Sequence, residues 1–193
     1  MIRRERGWMA DRLAPRGRPA IVASPMVSLA APAGRLLLRG DPPAMVLAGE
    51  ALSLAISTQA CRAVTGETGA ALWLGPDEQL LLVSETEVPN LLATLALALA
   101  GARHGLVDIS HRQVAIIVSG PGVEALMNTV CPLDLDLSAF PVGMCARTLL
   151  AKAEIILWRT EELTFHLEVW RSFAAYVTGL LAEASLEFHG SEP

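Results

Sequence analysis

The chain is ordered twice. Leu38-Arg39-Gly40-Asp41-Pro42 ends a strand-like run and opens a helical one, and Val118-Ser119-Gly120-Pro121-Gly122 does the same further on. Each is followed by a short helical segment, a strand bearing a tryptophan (Trp73, Trp158), an acidic turn (Asp77-Glu78, Glu161-Glu162), another strand and a closing helix. The spacing from Gly40 to Trp73 differs from that between Gly120 and Trp158, so the repeat is one of structure and not of letters. A duplicated order restricts the fold more than composition does. It predicts an α+β chain of two pseudo-symmetric β-α-β-β-α-like lobes.

Local signals fill in the halves. Arg35 to Arg39 reads as a strand, and Asp41 with Pro42 and Pro43 caps and opens a helix over Ala44 to Leu52. Ala70 to Leu74 and Gln79 to Val83 form a hairpin around Gly75-Pro76-Asp77-Glu78. A helix from Val88 to Ala102 follows, with Gly105 as its stop signal. The second half gives strands at Gly105 to Ile109 and Gln113 to Val118, then a helix over Val123 to Thr129. Strands follow at Ala146 to Leu150, Glu154 to Trp158 and Leu163 to Val169, the last two joined by a turn at 160–162. A final helix covers Arg171 to Ala184. The predicted division is a basic, Pro/Ala-rich arm or tail over 1–33, a first lobe over 34–104, a second over 105–186 and a tail over 187–193.

Composition narrows the class of function. The chain is 52% hydrophobic and only 18% charged, which fits either a deeply folded monomer or a subunit that hides surface against a partner. The longest apolar run, Leu91 to Ala102, is shorter than the roughly 20 residues of a membrane span. It reads as a core helix, and no membrane is expected. Net charge is -5, but the first 18 residues carry six Arg against two acids, leaving -9 on the rest. An acidic body argues against nucleic acid. The basic leader reads as a tail, or as an arm that orders on a partner through Arg3, Arg4 and an anchoring Trp8, in preference to a targeting peptide. Cys61, Cys131 and Cys145 are odd in number and widely spaced, as expected of reduced cytoplasmic thiols.

The search for chemistry finds no complete constellation. Gly120-Pro121-Gly122 lacks the remainder of any phosphate-binding signature and reads as a strand-to-helix turn. In Asp108-Ile109-Ser110-His111-Arg112 a nucleophilic Ser110 would need His111 as its base, but adjacent strand residues face opposite ways. A turn whose side chains bond nearby backbone is the better reading. His104, His166 and His189 are isolated, and His166 in phase with Glu168 reads as a solvated strand face. Asp134 and Asp136 could share a cation or act as an acid/base pair, but read as exposed turn residues. Arg147, Lys152 and Arg159 are scattered surface charge rather than an anion site. Trp73, Trp158 and Trp170 lie on or at the ends of strands, where core is the default for at least two, and Trp73 is a candidate contact residue.

Specific strings go further. Leu72-Trp73-Leu74-Gly75-Pro76-Asp77-Glu78 with Leu80-Leu81-Leu82, Asp108 to Arg112, the Gly120 turn, and Cys131-Pro132-Leu133-Asp134-Leu135 occur in that order. Phe140-Pro141-Val142-Gly143, Arg147-Thr148 and Phe165 to Phe173 continue it. Jointly, over Leu36 to Ala184, the chain resembles the gamma subunit of heterotetrameric sarcosine oxidase, departing at Gln79, where a bulky Trp is expected, and in the Arg-rich leader. The resemblance implies a fold similar to the tetrahydrofolate-binding domain of aminomethyltransferases. It implies a non-catalytic structural role, with no catalytic, cofactor or metal residues in this chain, beside a directly contacted alpha subunit and beta and delta subunits in the same complex. Such a complex demethylates sarcosine to glycine, passes the one-carbon unit to tetrahydrofolate or releases formaldehyde, and forms hydrogen peroxide; FAD, FMN, NAD, zinc and tetrahydrofolate are expected on the other subunits. The alternative is an independent tetrahydrofolate-binding aminomethyl or one-carbon transferase, which would rest on the shared fold alone.

Overall fold

A computed structural model describes residues 24–188. Arg3, Arg4, Trp8 and His189, and with them most of the arm, lie outside the described residues. Within them, helices and strands alternate as a duplicated α+β fold. The first half comprises β1 (Val27–Leu29), β2 (Gly34–Gly40), α1 (Pro42–Leu52), β3 (Ala63–Gly66), β4 (Gly69–Gly75), β5 (Glu78–Val83) and α2 (Val88–Ala98). The second repeats that order as β6 (His104–Asp108), β7 (Gln113–Ser119), α3 (Val123–Asn128), β8 (Cys145–Leu150), β9 (Ala153–Glu161), β10 (Thr164–Trp170) and α4 (Ala174–Ser185).

Two antiparallel sheets result, in the orders β3-β4-β5-β2-β6 and β8-β9-β10-β7-β1. Matching positions are filled by matching strands, with one exchange. The edge strand β6, which begins the second half, pairs with β2 of the first, Leu36 opposite Asp108. The edge strand β1, which begins the first half, pairs with β7 of the second, Val27 opposite Val118. Here the structure departs from the sequence reading. The stretch up to residue 33 is not wholly an arm, since Val27–Leu29 is a strand, and Gly105 to Asp108 belongs to the sheet of the other half. Short edge strands carry little periodicity of their own, so their partners decide them.

Alternation along the strands sorts side chains into three apolar cores. Leu36, Leu38, Ala71, Leu81 and Val83 face α1 and α2. Ile116, Val118, Ile155, Leu157, Phe165 and Leu167 face α3 and α4. Ala70, Leu72, Leu80 and Leu82 of one sheet meet Cys145, Ile156 and Trp158 of the other. The architecture is therefore helix, sheet, sheet, helix. Each fully buried leucine contributes roughly 1.5–3 kcal/mol of transfer free energy. The two sheets are also stitched along one side, where Ala63 N donates to Gly143 O at 2.8 Å and Cys145 N to Cys61 O at 3.0 Å. That bridge covers one end of each of two sheet edges, those of β3 and β8.

The helix termini follow the sequence signals. Asp41 accepts from Ala44 N at 3.2 Å with extended backbone, and prolines occupy the first turn of α1. Gly120 and Gly122 take φ of 116° and 79° at the entry to α3, a conformation that side chains disfavour. The closing helix α2 stops at Ala98, short of the predicted Ala102, so that Leu99 is buried and the chain can turn toward β6. Gly105, read as the stop signal, lies inside that strand. No helix among the described residues is long and apolar enough to cross a membrane.

Candidate functional site

The most concentrated buried polarity lies between the sheets. Arg35 of β2 projects from the face opposite Leu36 and is 3% exposed. Its Nε donates to Glu168 Oε2 at 2.5 Å and its Nη2 to Glu168 Oε1 at 3.0 Å, while Nη1 donates to Ala33 O at 2.8 Å. Glu168 of β10 is fully buried, and His166 Nε2 lies 2.8 Å from its Oε1. The His166 ring in turn sits 5.5 Å from Trp158, centroid to centroid. Burial alone would raise the Glu168 carboxyl, but the hydrogen bonds and charges of His166 and Arg35 together outweigh it and hold the group below the ordinary carboxylate range. An ionised carboxylate with this fork of donors is a clasp between the halves, not a proton donor at neutral pH.

This overturns one expectation. His166 and Glu168 lie on one strand face, as their spacing requires, but that face meets the other sheet and not solvent. Alternation distinguishes two faces of a strand; it does not say that one of them is wet when both faces are covered.

Arg159 overturns a second. Far from being surface charge, it is completely buried at the end of β9. Its guanidinium donates to Leu135 O and Phe140 O at 2.9 Å each, to Glu162 O from two nitrogens, and to the Glu124 carboxylate. It also lies over the Phe165 ring, 4.9 Å from the centroid. One side chain thus pins the 131–143 loop, the β9–β10 turn and α3 to one another. Arg147 instead bonds Glu78 at 2.7 Å, and Lys152 is exposed in the β8–β9 turn, so the three cations do not converge.

The remaining candidates resolve into turns. Ser110 Oγ donates to Asp108 Oδ1 at 2.6 Å and accepts from Arg35 N at 2.9 Å, while His111 is exposed. The hydroxyl thus serves a turn beside the Arg35 clasp. Asp134 and Asp136 are exposed, and each accepts from backbone two residues ahead. Hydrogen bonds from Ser138 hold the Asp136 carboxyl below its ordinary range. No group of three or more His, Cys, Asp or Glu side chains is arranged to hold a metal ion among the described residues. Trp73 is half-buried against the core between the sheets, as is Trp158, while Trp170 is exposed beneath the Arg112 guanidinium. Arg35 was not legible as a site residue, since one arginine within Gly34-Arg35-Leu36-Leu37-Leu38 carries no spacing signal.

Comparison with known proteins gives a consistent picture. The family described as "Sarcosine oxidase, gamma subunit family" matches residues 39–187. The gamma subunit of sarcosine oxidase from Corynebacterium sp. (strain P-1) is 35% identical over 127 residues, 66% of this chain and 61% of that protein. The gamma subunit from Arthrobacter sp. is 33% identical over 143 residues, 72% of this chain and 70% of that protein. The match thus spans about three fifths of the length of the Corynebacterium strain P-1 relative. Among solved structures, heterotetrameric sarcosine oxidase from Corynebacterium sp. U-96, in complex with pyrrole 2-carboxylate, matches at a TM-score of 0.79 and 29% identity. That match covers 90% of this chain and 91% of the other. The glycine cleavage system aminomethyltransferase T of Bartonella henselae matches at a TM-score of 0.60 and 13% identity, over 80% of this chain and 44% of that one, which is a likeness of fold. With its duplicated halves, its order of motifs and this family match over most of its length, the chain belongs to the sarcosine oxidase gamma subunit family.

Proposed function

We propose that this chain is a non-catalytic, structural subunit of a heterotetrameric sarcosine oxidase. The observation that carries the reading is the near end-to-end agreement with one chain of a solved heterotetramer, 90% of this chain against 91% of that one. A chain that shares its fold almost end to end with a member of such an assembly has the shape to take the corresponding place. The internal chemistry supports a scaffold: Arg35, Glu168, Arg159, Asp108 and Ser110 are engaged with one another or with backbone. In this reading the alpha subunit is the direct neighbour and the beta and delta subunits share the complex. The oxidative demethylation of sarcosine to glycine, and FAD, FMN, NAD, zinc and tetrahydrofolate, belong to those other chains. Arg3, Arg4, Trp8 and Trp73 are proposed contacts, 34–104 and 105–186 the two lobes apart from the exchanged edge strands, and the cytoplasm the compartment.

Co-expression with the other three chains tests the proposal. The expected result is a single four-chain species with sarcosine-dependent oxygen uptake, and loss of assembly when this chain is left out. A chain that stays apart while the other three assemble and turn over normally refutes it. Calorimetric titration of the isolated chain with tetrahydrofolate separates the transferase reading, which requires sub-millimolar binding.

A further inference from the structure

We propose that Cys61 and Cys145 are a peroxide-sensitive pair, oxidised to a disulfide that locks the seam between the two sheets. The seam is the isolated bridge of Arg62 with Met144, closed by Ala63 N to Gly143 O at 2.8 Å and Cys145 N to Cys61 O at 3.0 Å. In an antiparallel bridge those two bonds flank the bridge residues, so Cys61 and Cys145, on one side of it, stand directly opposite each other. Opposed residues that share such a bond have Cα atoms about 5.5 Å apart, within the roughly 4.4–6.8 Å that a disulfide spans. Their Cβ atoms lie about 5 Å apart in a regular ladder, against about 3.8 Å in a disulfide, so the seam has to close by about 1 Å. Cys61 precedes β3 and lies in a turn, so that movement falls on a turn and not on a ladder.

Further features set this pair apart from Cys131, which is buried in the core under α3 and α4. Cys61 is half-buried and Cys145 fully buried, so one thiol meets solutes and the other does not. Cys61 also holds φ at 57°, in the left-handed region that residues with a side chain rarely adopt. Such strain persists only where the surroundings impose it, and it gathers at functional positions. Cys145 Sγ rests 3.5 Å from the Trp73 carbonyl, a weak contact that one rotation about Cα–Cβ releases. Trp73 N in turn donates to Arg62 O at 3.2 Å, so the sulfur already lies where the chain passes through Cys61. Burial chiefly pushes the Cys145 thiol up to about 12, and a charge on Cys61 adds to that push. A reachable thiol beside a protected one is the order that a two-step oxidation needs. The Cys61 thiolate attacks one oxygen of hydrogen peroxide and the O–O bond breaks; the leaving oxygen takes the thiol proton, giving a sulfenic acid and water. The Cys145 sulfur then attacks the Cys61 sulfur, the S–O bond breaks, and the hydroxyl departs with the Cys145 proton as a second water. Two thiols thus lose two electrons and two protons to one peroxide. The pair needs only peroxide as oxidant; the oxidase reading above adds a source of it close by.

The purified whole chain, exposed to hydrogen peroxide without the other subunits, tests the pair independently of the subunit reading. Peptide mass mapping without reductant should show the Cys61 and Cys145 peptides joined, lighter than their sum by two hydrogens. The melting temperature should rise by about 10 °C, because the closed loop runs from one half to the other, and a thiol reductant should reverse the rise. Cys61→Ser should melt like the reduced wild type and lose both the crosslink and the shift, whereas Cys131→Ala should keep both. In Cys145→Ala the sulfenic acid left on Cys61 should be captured by dimedone. Peroxide that leaves Cys61 a free thiol, carries it on to sulfinic acid, or joins it to Cys131 or to a second copy overturns the proposal. So does a crosslink that leaves the melting temperature unchanged, since the seam is then not locked.

Discussion

Replacing Glu168 with Gln preserves shape and removes one charge from the contact between the sheets. Arg35 then keeps a guanidinium whose side chain is 4% exposed, with no carboxylate within its fork. Breaking one partner of a buried pair costs about 3–5 kcal/mol, against a total stability of roughly 5–15 kcal/mol for a domain. With a urea slope of about 2 kcal/mol per molar, the unfolding midpoint should fall by about 2 M at neutral pH. Tryptophan emission is a suitable probe, since Trp158 lies next to His166 in the same layer. The effect has a pH signature. Because the folded carboxyl is held below its ordinary value of 4.5, its contribution is complete above that pH and is lost as pH falls toward the depressed folded value. The gap between wild type and Glu168→Gln should therefore narrow as pH falls below 4.5. The double variant Arg35→Met with Glu168→Leu should recover most of the loss, as apolar replacement of a whole buried pair usually does. A Glu168→Gln cost under about 1 kcal/mol, or a double variant no better than the single, would refute the view of this pair as a clasp that fails when half is removed.

Three further outcomes follow from other features. Arg159→Met leaves the carbonyls of Leu135, Phe140 and Glu162 without their donor, so limited proteolysis should open the 131–143 loop first, and Arg159→Lys should restore little because an ammonium cannot span the fork. Asp41→Ala removes the acceptor for Ala44 N and should cost about 1 kcal/mol, read as a small drop in melting temperature. Iodoacetamide followed by mass spectrometry should modify half-exposed Cys61 first. Cys145, pushed up to about 12 chiefly by burial, and Cys131, also raised by burial, should react only after unfolding.

The elements that carry strong local chemistry were readable in advance. Asp41 with two prolines placed α1, Gly75 to Glu78 placed the first hairpin, and alternation placed β7. The duplicated order gave the two-fold plan because each half must bury the same faces. What escaped depended on contacts remote in sequence. Val27–Leu29 is a strand because β7 is beside it, and Ala63–Gly66 because β4 is. Arg159 and Glu168 looked like surface residues because a charge is usually solvated; their burial becomes affordable only when several donors or acceptors arrive from distant segments. The apolar run of α2 was visible, but the exposure of Ala93, Ala96 and Leu97 was not, since composition alone does not say which sides of a helix are covered.

The exchanged edge strands also set a schedule for folding. As the chain is synthesised, β2 remains unpaired on one side until His104–Asp108 has emerged, and β1 has no partner until Gln113–Ser119 follows. Both pairings close long loops, whose entropy must be overcome before the ladder forms. Contacts of that span slow folding, and an open apolar edge invites association while it waits. A nascent first half is therefore a transient liability rather than a finished module, and completion of either sheet is a late event that commits both halves together.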